Sequence, residues 1–418
     1  MGKEEERTKG KLWTKNFTII TIGSFISAIG GAAMGLAFSL VVFDQTSSTW
    51  LAAIVNVSWI VPGIVLPILM GPYIDKANKR KLIYKLDYVN SLVYLLFYLF
   101  LKEFGFVYSG YIIFSLIDGC IGSVYNLTYI SFYPDLINEG STQKGFAVSS
   151  LVYPLAISIV TPIASVVYTK YGIELLILSE SLLLSICATF ETRIKTDFVK
   201  QLKDGTKFSQ RLKIYFEDFK DAYRYLKKEK GLRSLYLYNA FNAGDYEGKS
   251  LMIIAYFQTS STLTAVMYSL LISAETIGRV FGGFFHYFVK IPEKARLKLT
   301  MAVYTFYNLF DGILLFVAFP IMIVLRFICG VFGINTATLR QAAVMHYIKE
   351  DYRAKVSGFF EVLVAISGLV AQLIIGALGE FLDYRVVIVI LSSIMMLMIY
   401  FLIFKNRKKI QPIYEGYE

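Results

Sequence analysis

FTIITIGSFISAIGGAAMGLAFSLVVF, residues 17–43, runs for 27 positions without a charged residue. A helix needs roughly 20 mostly apolar residues to cross a bilayer. This run is long enough, and it is too long and too free of an Ala-x-Ala cleavage site to be a signal peptide. Eleven more runs of the same kind follow, at about 50–72, 82–101, 109–133, 145–169, 172–191, 232–258, 263–289, 298–317, 319–343, 355–378 and 384–404. Lipid offers no partner to an unpaired backbone amide, so each run is expected as a helix. The expected fold class is therefore an all-α integral membrane protein with twelve transmembrane helices.

Composition agrees. Of 418 residues, 56% are hydrophobic and only 17% charged, against about 25% charged in soluble domains, which excludes a disordered chain and an ordinary cytosolic enzyme. The net charge of +11 leaves two readings, a nucleic-acid binder or a membrane protein with its cations on one side. With the N-terminus taken as cytoplasmic, 35 of the 42 Lys and Arg fall in inside segments, three (Lys102, Lys170, Arg385) outside and four (Lys249, Arg279, Arg326, Arg340) within spans. That asymmetry is the positive-inside pattern. It argues against a nucleic-acid partner and for a multi-pass cell-membrane protein with both termini cytoplasmic.

The long polar stretch lies at 192–231 and separates an N-terminal half, 1–191, from a C-terminal half, 232–418, with six spans each. At an offset of 209 residues, Leu116, Cys120 and Asn126 match Leu325, Cys329 and Asn335; Lys144 corresponds to Arg353, and Ala156-Ile157-Ser158 equals Ala365-Ile366-Ser367. A shared offset on equivalent elements points to a duplicated six-helix unit, hence two halves related by pseudo-two-fold symmetry and alternating access between them. Cys120, Cys187 and Cys329 lie inside apolar spans without C-x-x-C spacing. They read as buried small hydrophobes with no metal or disulfide role.

The loop after the second span reads GPYIDKANKRK, residues 71–81. It resembles the signature loop of the major facilitator superfamily, with Gly71, Asp75, Lys76, Arg80 and Lys81 fitting the pattern and Asn78 at a position where glycine is usual. Asn is the residue that best replaces glycine in a left-handed turn. The resemblance implies a gating loop. Gly71 would allow close helix approach, and Asp75 beside a helix N-terminus with flanking bases would form a latch that breaks and reforms. Gly282-Gly283 followed by His286, Lys290, Lys294 and Arg296 looks like a decayed copy of it. SFISAIGGAAMGLAFSLVVFDQTSSTW (24–50), Pro134-Asp135-Leu136-Ile137 and FKDAYRYLKKEKGL (219–232) are similar to the macrolide and siderophore (enterobactin-exporter-like) efflux branch. This chain departs from many drug exporters in carrying Asp118 in place of a fourth-span arginine, and in having Thr161-Pro162 without the antiporter glycines.

An ionisable group in a span marks a pathway by default. Asp87, Asp118, Glu180, Asp245, Glu247, Lys249, Glu275, Arg279, Asp311, Arg326, Arg340 and Glu361 all fall in spans. Asp118, Asp245, Glu247, Asp311 and Arg326 lie deepest and are the proton-coupling candidates. Glu275 and Arg279, four apart, are expected to pair structurally. The resemblance implies that spans one, four, seven and ten line a central cavity, where Tyr125, Asn126, Tyr129, Tyr236, Tyr238, Asn239 and Asn242 would bind an amphipathic solute by stacking and few hydrogen bonds. Pro62, Pro67, Pro154, Pro162 and Gly30-Gly31 are expected kink points.

With no Walker sequence and no catalytic or metal-ligand constellation, no cofactor or enzymatic activity is expected. The expected function is that of a monomeric inner-membrane secondary transporter, an antiporter of the efflux and multidrug-resistance kind. It would export a small amphipathic molecule against protons or another coupling cation. Uptake, transport of a lipid-like substrate, and a non-transporting sensor or scaffold are the alternatives.

Overall fold

The computed structural model describes residues 11–74, 77–138, 140–195, 208–288 and 291–415. Described residues form helices and short connections, with no strand. Twelve long helices correspond to the expected spans: α1 (Lys15–Thr46), α2 (Thr49–Ile74), α3 (Lys79–Phe104), α4 (Tyr108–Phe132), α5 (Thr142–Tyr171), α6 (Ile173–Glu191), α8 (Lys230–Thr259), α9 (Ala265–Phe288), α10 (Glu293–Ile313), α11 (Phe319–Tyr347), α12 (Glu350–Leu378) and α13 (Tyr384–Met398). Among the described residues, ten helical segments are apolar enough to cross a membrane; α8 and α9 fall short because they carry the Asp245–Lys249 and Glu275–Arg279 charges. Shifting α3–α6 by 209 residues lands on α10–α13, as the sequence repeat requires.

Two helices lie outside this set. α7 (Phe208–Lys228) occupies part of the polar stretch 192–231, and α14 (Arg407–Glu415) follows the last span through a π-helical turn at Ile399–Phe404. Both are amphipathic, and each buries its apolar face. Ala222 and Leu226 from α7, and Ile410, Ile413 and Tyr414 from α14, join Leu235, Tyr238, Tyr304 and Leu339 in one core.

The chain divides into two compact units, 1–41 with 58–205, and 42–57 with 206–418. In both units, rows of large apolar side chains remain exposed, including Leu92, Leu96 and Leu99 on α3, Ile159 and Ile163 on α5, and Leu397, Tyr400 and Phe401 at the end of α13. In water such rows would be a liability; in a bilayer they are the surface the lipid covers.

α1, α2 and α5 each hold their candidate kink residues, Gly30-Gly31, Pro62 and Pro67, and Pro154 and Pro162, within one helix. Other local expectations change. Asn78 has φ −72 and ψ 94, so it is not in a left-handed turn; its side chain accepts a hydrogen bond from the Lys81 N–H and caps α3, satisfying one of the orphan donors of a helix start. Gly282 lies inside α9, where a Cβ would collide with the Val331 carbonyl, and Gly278 meets the Phe327 carbonyl in the same way. G-x-x-x-G packing of α9 on α11, rather than a loop, accounts for Gly282. Cys120 is exposed, while Cys187 and Cys329 are buried.

Candidate functional site

In the second unit the small glycine contacts set up a charged network. Gly278 and Gly282 on α9 and Gly330 on α11 bring the two backbones together, which places Glu275 Oε2 3.3 Å from Arg326 Nη1. Arg279 sits one turn along α9 and bonds Glu275 Oε1 at 2.6 Å, as the four-residue spacing requires. Arg326 Nη1 reaches Asp311 of α10 at 3.2 Å. Asp311 in turn lies 3.4 Å from Lys249 of α8, whose ammonium meets Asp245 at 2.7 Å. Asn308 and Tyr307 add further hydrogen bonds, at 3.4 Å with Lys249 and 3.3 Å with Glu275.

The network therefore links three acids and three bases across α8, α9, α10 and α11, and their charges balance. Lys249 is only 1% exposed and Arg326 6%. Burying these ions costs several kcal/mol each unless pairing offsets it, and alternation of sign along the chain supplies the pairing. Asp311 is the branch point, with a cation on either side.

The first unit has the opposite character. Asp118 on α4 accepts hydrogen bonds from Trp59 Nε1 of α2 at 2.9 Å and Asn90 Nδ2 of α3 at 3.1 Å. Glu180 on α6 is buried against Gly30 of α1 with Oε2 unpartnered. Asp87 on α3 and Glu191 on α6 are buried beside Cys187. Among the described residues no base forms an ion pair with any of these four acids. All the donors that reach them are neutral.

The other candidate residues separate. Glu247 points away from the network, exposed, and accepts from Gln372 Nε2 of α12 at 2.9 Å. Tyr125 and Tyr129 stack on α4 with ring centroids 6.3 Å apart, and Tyr129 accepts from Ser24 of α1 at 2.8 Å. Asn126 is exposed and Asn242 half-buried. Tyr238 packs on Tyr304 at 4.6 Å inside the core of the second unit. Asn239 is buried, donates to the Leu235 carbonyl at 2.7 Å and accepts from Arg340. These last two side chains are consumed by packing, and their position on a span gave no warning of it.

Within the gating-loop motif, Asp75 and Lys76 lie outside the described residues. Gly71 has open space where a Cβ would stand. Arg80 Nη2 donates to the Thr192 carbonyl just beyond α6 at 2.6 Å, a cation at a helix C-terminus. The neighbouring Lys79 reaches the Ser131 carbonyl at 2.8 Å and Asp135 at 3.4 Å. Sequence reasoning missed Glu191, taken as the end of a span, and the second partner of Glu275, Arg326 on its other oxygen. A carboxylate within the last turn of an apolar run was the available signal for the first.

The family model described as Major Facilitator Superfamily matches residues 251–415. No curated protein sequence matches the chain. The structure is similar to a crystal structure of peptide transporter POT in complex with sulfate, with TM-score 0.71, 11% identity and coverage of 98% of this chain and 97% of that one. It is similar also to the crystal structure of nucleoside transporter NupG, with TM-score 0.65, 13% identity and coverage of 93% and 98%. The POT family transporter PepTSo gives TM-score 0.66 at 13% identity, covering 96% and 99%. The fold is that of these multi-pass membrane transporters.

Proposed function

We propose that the protein is a secondary active transporter of the major facilitator type, not an enzyme, working by alternating access at a cell membrane with both termini in the cytoplasm. The observation that carries this reading is the six-membered charged network of the second unit, in which Asp311 is shared by Lys249 and Arg326. Buried ions are a poor way to gain stability, and in a membrane protein they mark an ion or substrate route. A chain of alternating charges can exchange partners without leaving an ion bare, which suits a site that must switch between two arrangements.

The finer reading is proton-coupled export of an amphipathic small molecule. Asp118 is its proton carrier, because neutral donors alone hold it and protonation leaves no base unpaired. Asp245, Asp311 and Arg326 form the responding network. Asp118, Tyr125, Asn126 and Tyr129 share α4, so the proton carrier and a stacking surface stand on one element. The nucleoside and peptide transporters of the same fold support transport of a small organic solute, but fold alone does not choose among solutes.

The test is flux in proteoliposomes across an imposed pH gradient, with a panel of amphipathic drugs, siderophores, nucleosides and peptides. Gradient-driven movement of one class, lost in Asp118→Asn while counterflow of the same solute persists, supports the reading. An unchanged response to the gradient in that variant removes Asp118 from coupling. A panel in which nothing moves overturns transport of these solute classes.

A further inference from the structure

Asp87 and Glu191 are 4% and 0% exposed, and one carboxylate oxygen of each lies within 4.8 Å of the other and of Cys187 Sγ. Asp87 Oδ2 and Glu191 Oε2 have no hydrogen-bond partner. Two carboxylates this close, this buried and unpaired with a base would together carry a charge of −2 when both are ionised, and nothing among the described residues would cancel it. The surroundings supply only neutral groups. Tyr125 OH donates to Glu191 Oε1 at 3.4 Å, Ser27 Oγ lies 3.6 Å from Cys187 Sγ, and the thiol donates to the Gly23 carbonyl at 3.4 Å. Arg80, the nearest guanidinium along α3, spends Nη2 on the Thr192 carbonyl. Room is kept by Gly23, whose Cβ would stand 3.1 Å from Glu191 Oε1 and 3.3 Å from Sγ.

We infer that Asp87, Cys187 and Glu191 form a binding site for one borderline-soft divalent cation such as Zn2+. Three donors no more than 4.8 Å apart admit an ion at most about 2.8 Å from each, and small rotamer shifts bring this to the 2.0–2.3 Å of Zn–O and Zn–S bonds. On binding, the thiol gives up its proton, and the divalent charge offsets two of the three anionic donors, where a single proton would offset one. The sulfur selects against Ca2+ and Mg2+, which take oxygen donors only. The ion would tie α3 to α6 inside the first unit. Neither the transport network of the second unit nor Asp118 takes part. Cys187 and Glu191, four apart, share one face of α6, while Asp87 comes from α3 a hundred residues earlier, and Cys187 is assigned a role beyond that of a small hydrophobe.

The test uses the full chain, purified without an affinity tag and stripped with chelator. Equilibrium dialysis against Zn2+ or Co2+ is expected to load one ion per chain, with a thiolate-to-cobalt charge-transfer band in the near ultraviolet. Ca2+ and Mg2+ at equal concentration should not displace it. Asp87→Asn and Glu191→Gln should each weaken binding at least about 100-fold, the upper end of what loss of an outer-shell partner costs. Cys187→Ser should remove the cobalt band, and Cys120→Ser should leave it. The unmodified chain decides the matter even where a variant fails to fold: absence of stoichiometric binding overturns the site and leaves a proton shared by the two carboxyls. Binding that survives all three ligand substitutions overturns it too, as does ready displacement by Ca2+.

Discussion

The carboxylate of Glu180 on α6 lies against the backbone of Gly30 on α1, closer than a Cβ at position 30 could tolerate. Its neighbour Gly31 faces open space. Adjacent glycines of one helix therefore have opposite sensitivity. Gly30→Ala should destabilise the first unit by about 1–3 kcal/mol through overpacking, whereas Gly31→Ala should be neutral or stabilising by up to about 1 kcal/mol. Thermal unfolding in detergent checks this, and Glu180→Ala added to Gly30→Ala should recover most of the loss. Equal melting temperatures for the two single variants would refute the contact.

The charged network predicts a graded series. Asp311→Asn leaves both Lys249 and Arg326 short of a partner, and Lys249→Met strands Asp245 as well as Asp311; each should cost about 3–5 kcal/mol, the usual loss on breaking a buried pair. Arg279→Ala should cost much less, because its side chain is 45% exposed and Glu275 keeps Arg326. Combining Asp245→Leu with Lys249→Met should cost less than Lys249→Met alone. Denaturation of the four variants orders them, and a double variant worse than Lys249→Met alone would contradict the pairing.

Glu380, between α12 and α13, caps the start of α2 within the second unit. Its Oε1 accepts from the Trp50 N–H at 2.9 Å and from the Ser48 and Thr49 hydroxyls at 2.8 and 3.1 Å. Partial burial would raise the carboxyl, but these donors outweigh it and hold the group below the ordinary glutamate value of 4.5. A depressed folded-state pKa contributes stability that is present above the unfolded value and is lost as the pH falls through the folded one. The wild-type melting temperature should therefore gain an extra decline below about pH 4.5 that Glu380→Gln lacks, the variant being the less stable at neutral pH. Parallel profiles for the two proteins would remove Glu380 from the cap.

Docking of α7 should depend on its rings more than on its charges. Phe219 meets Phe359 of α12 at 4.5 Å and Tyr225 stacks on Tyr352 at 4.7 Å, while Lys355 pairs with Asp218 and Asp221 at the surface. Exposed pairs contribute little. Phe359→Ala should weaken docking by about 2 kcal/mol, a large part of one buried aromatic, and should speed amide exchange across 208–228. Lys355→Ala should leave that exchange nearly unchanged.

Local composition settles much of this protein: twelve helices, the repeat at 209 residues, the Glu275–Arg279 pair and the set of charges that do not belong in lipid. These follow from the length of apolar runs and the 3.6-residue turn, which need no knowledge of neighbours. Which charges share a site is settled by packing instead. Glu275 joins Arg326 because close glycine packing sets α9 against α11, α10 brings Asp311 to the same guanidinium, and Glu247, two residues from Asp245, is turned away by the helical rotation. Tyr238 and Asn239 are taken into packing by α10 and α11. Cys187 and Glu191 share a face of α6 by their spacing, and Asp87 meets them only because α3 lies on α6. The two units also differ in a way their shared repeat conceals: among the described residues, the buried acids of one are balanced by bases, and those of the other are not. Pairing across helices depends on where side chains from distant segments come to rest, and linear spacing carries no record of that.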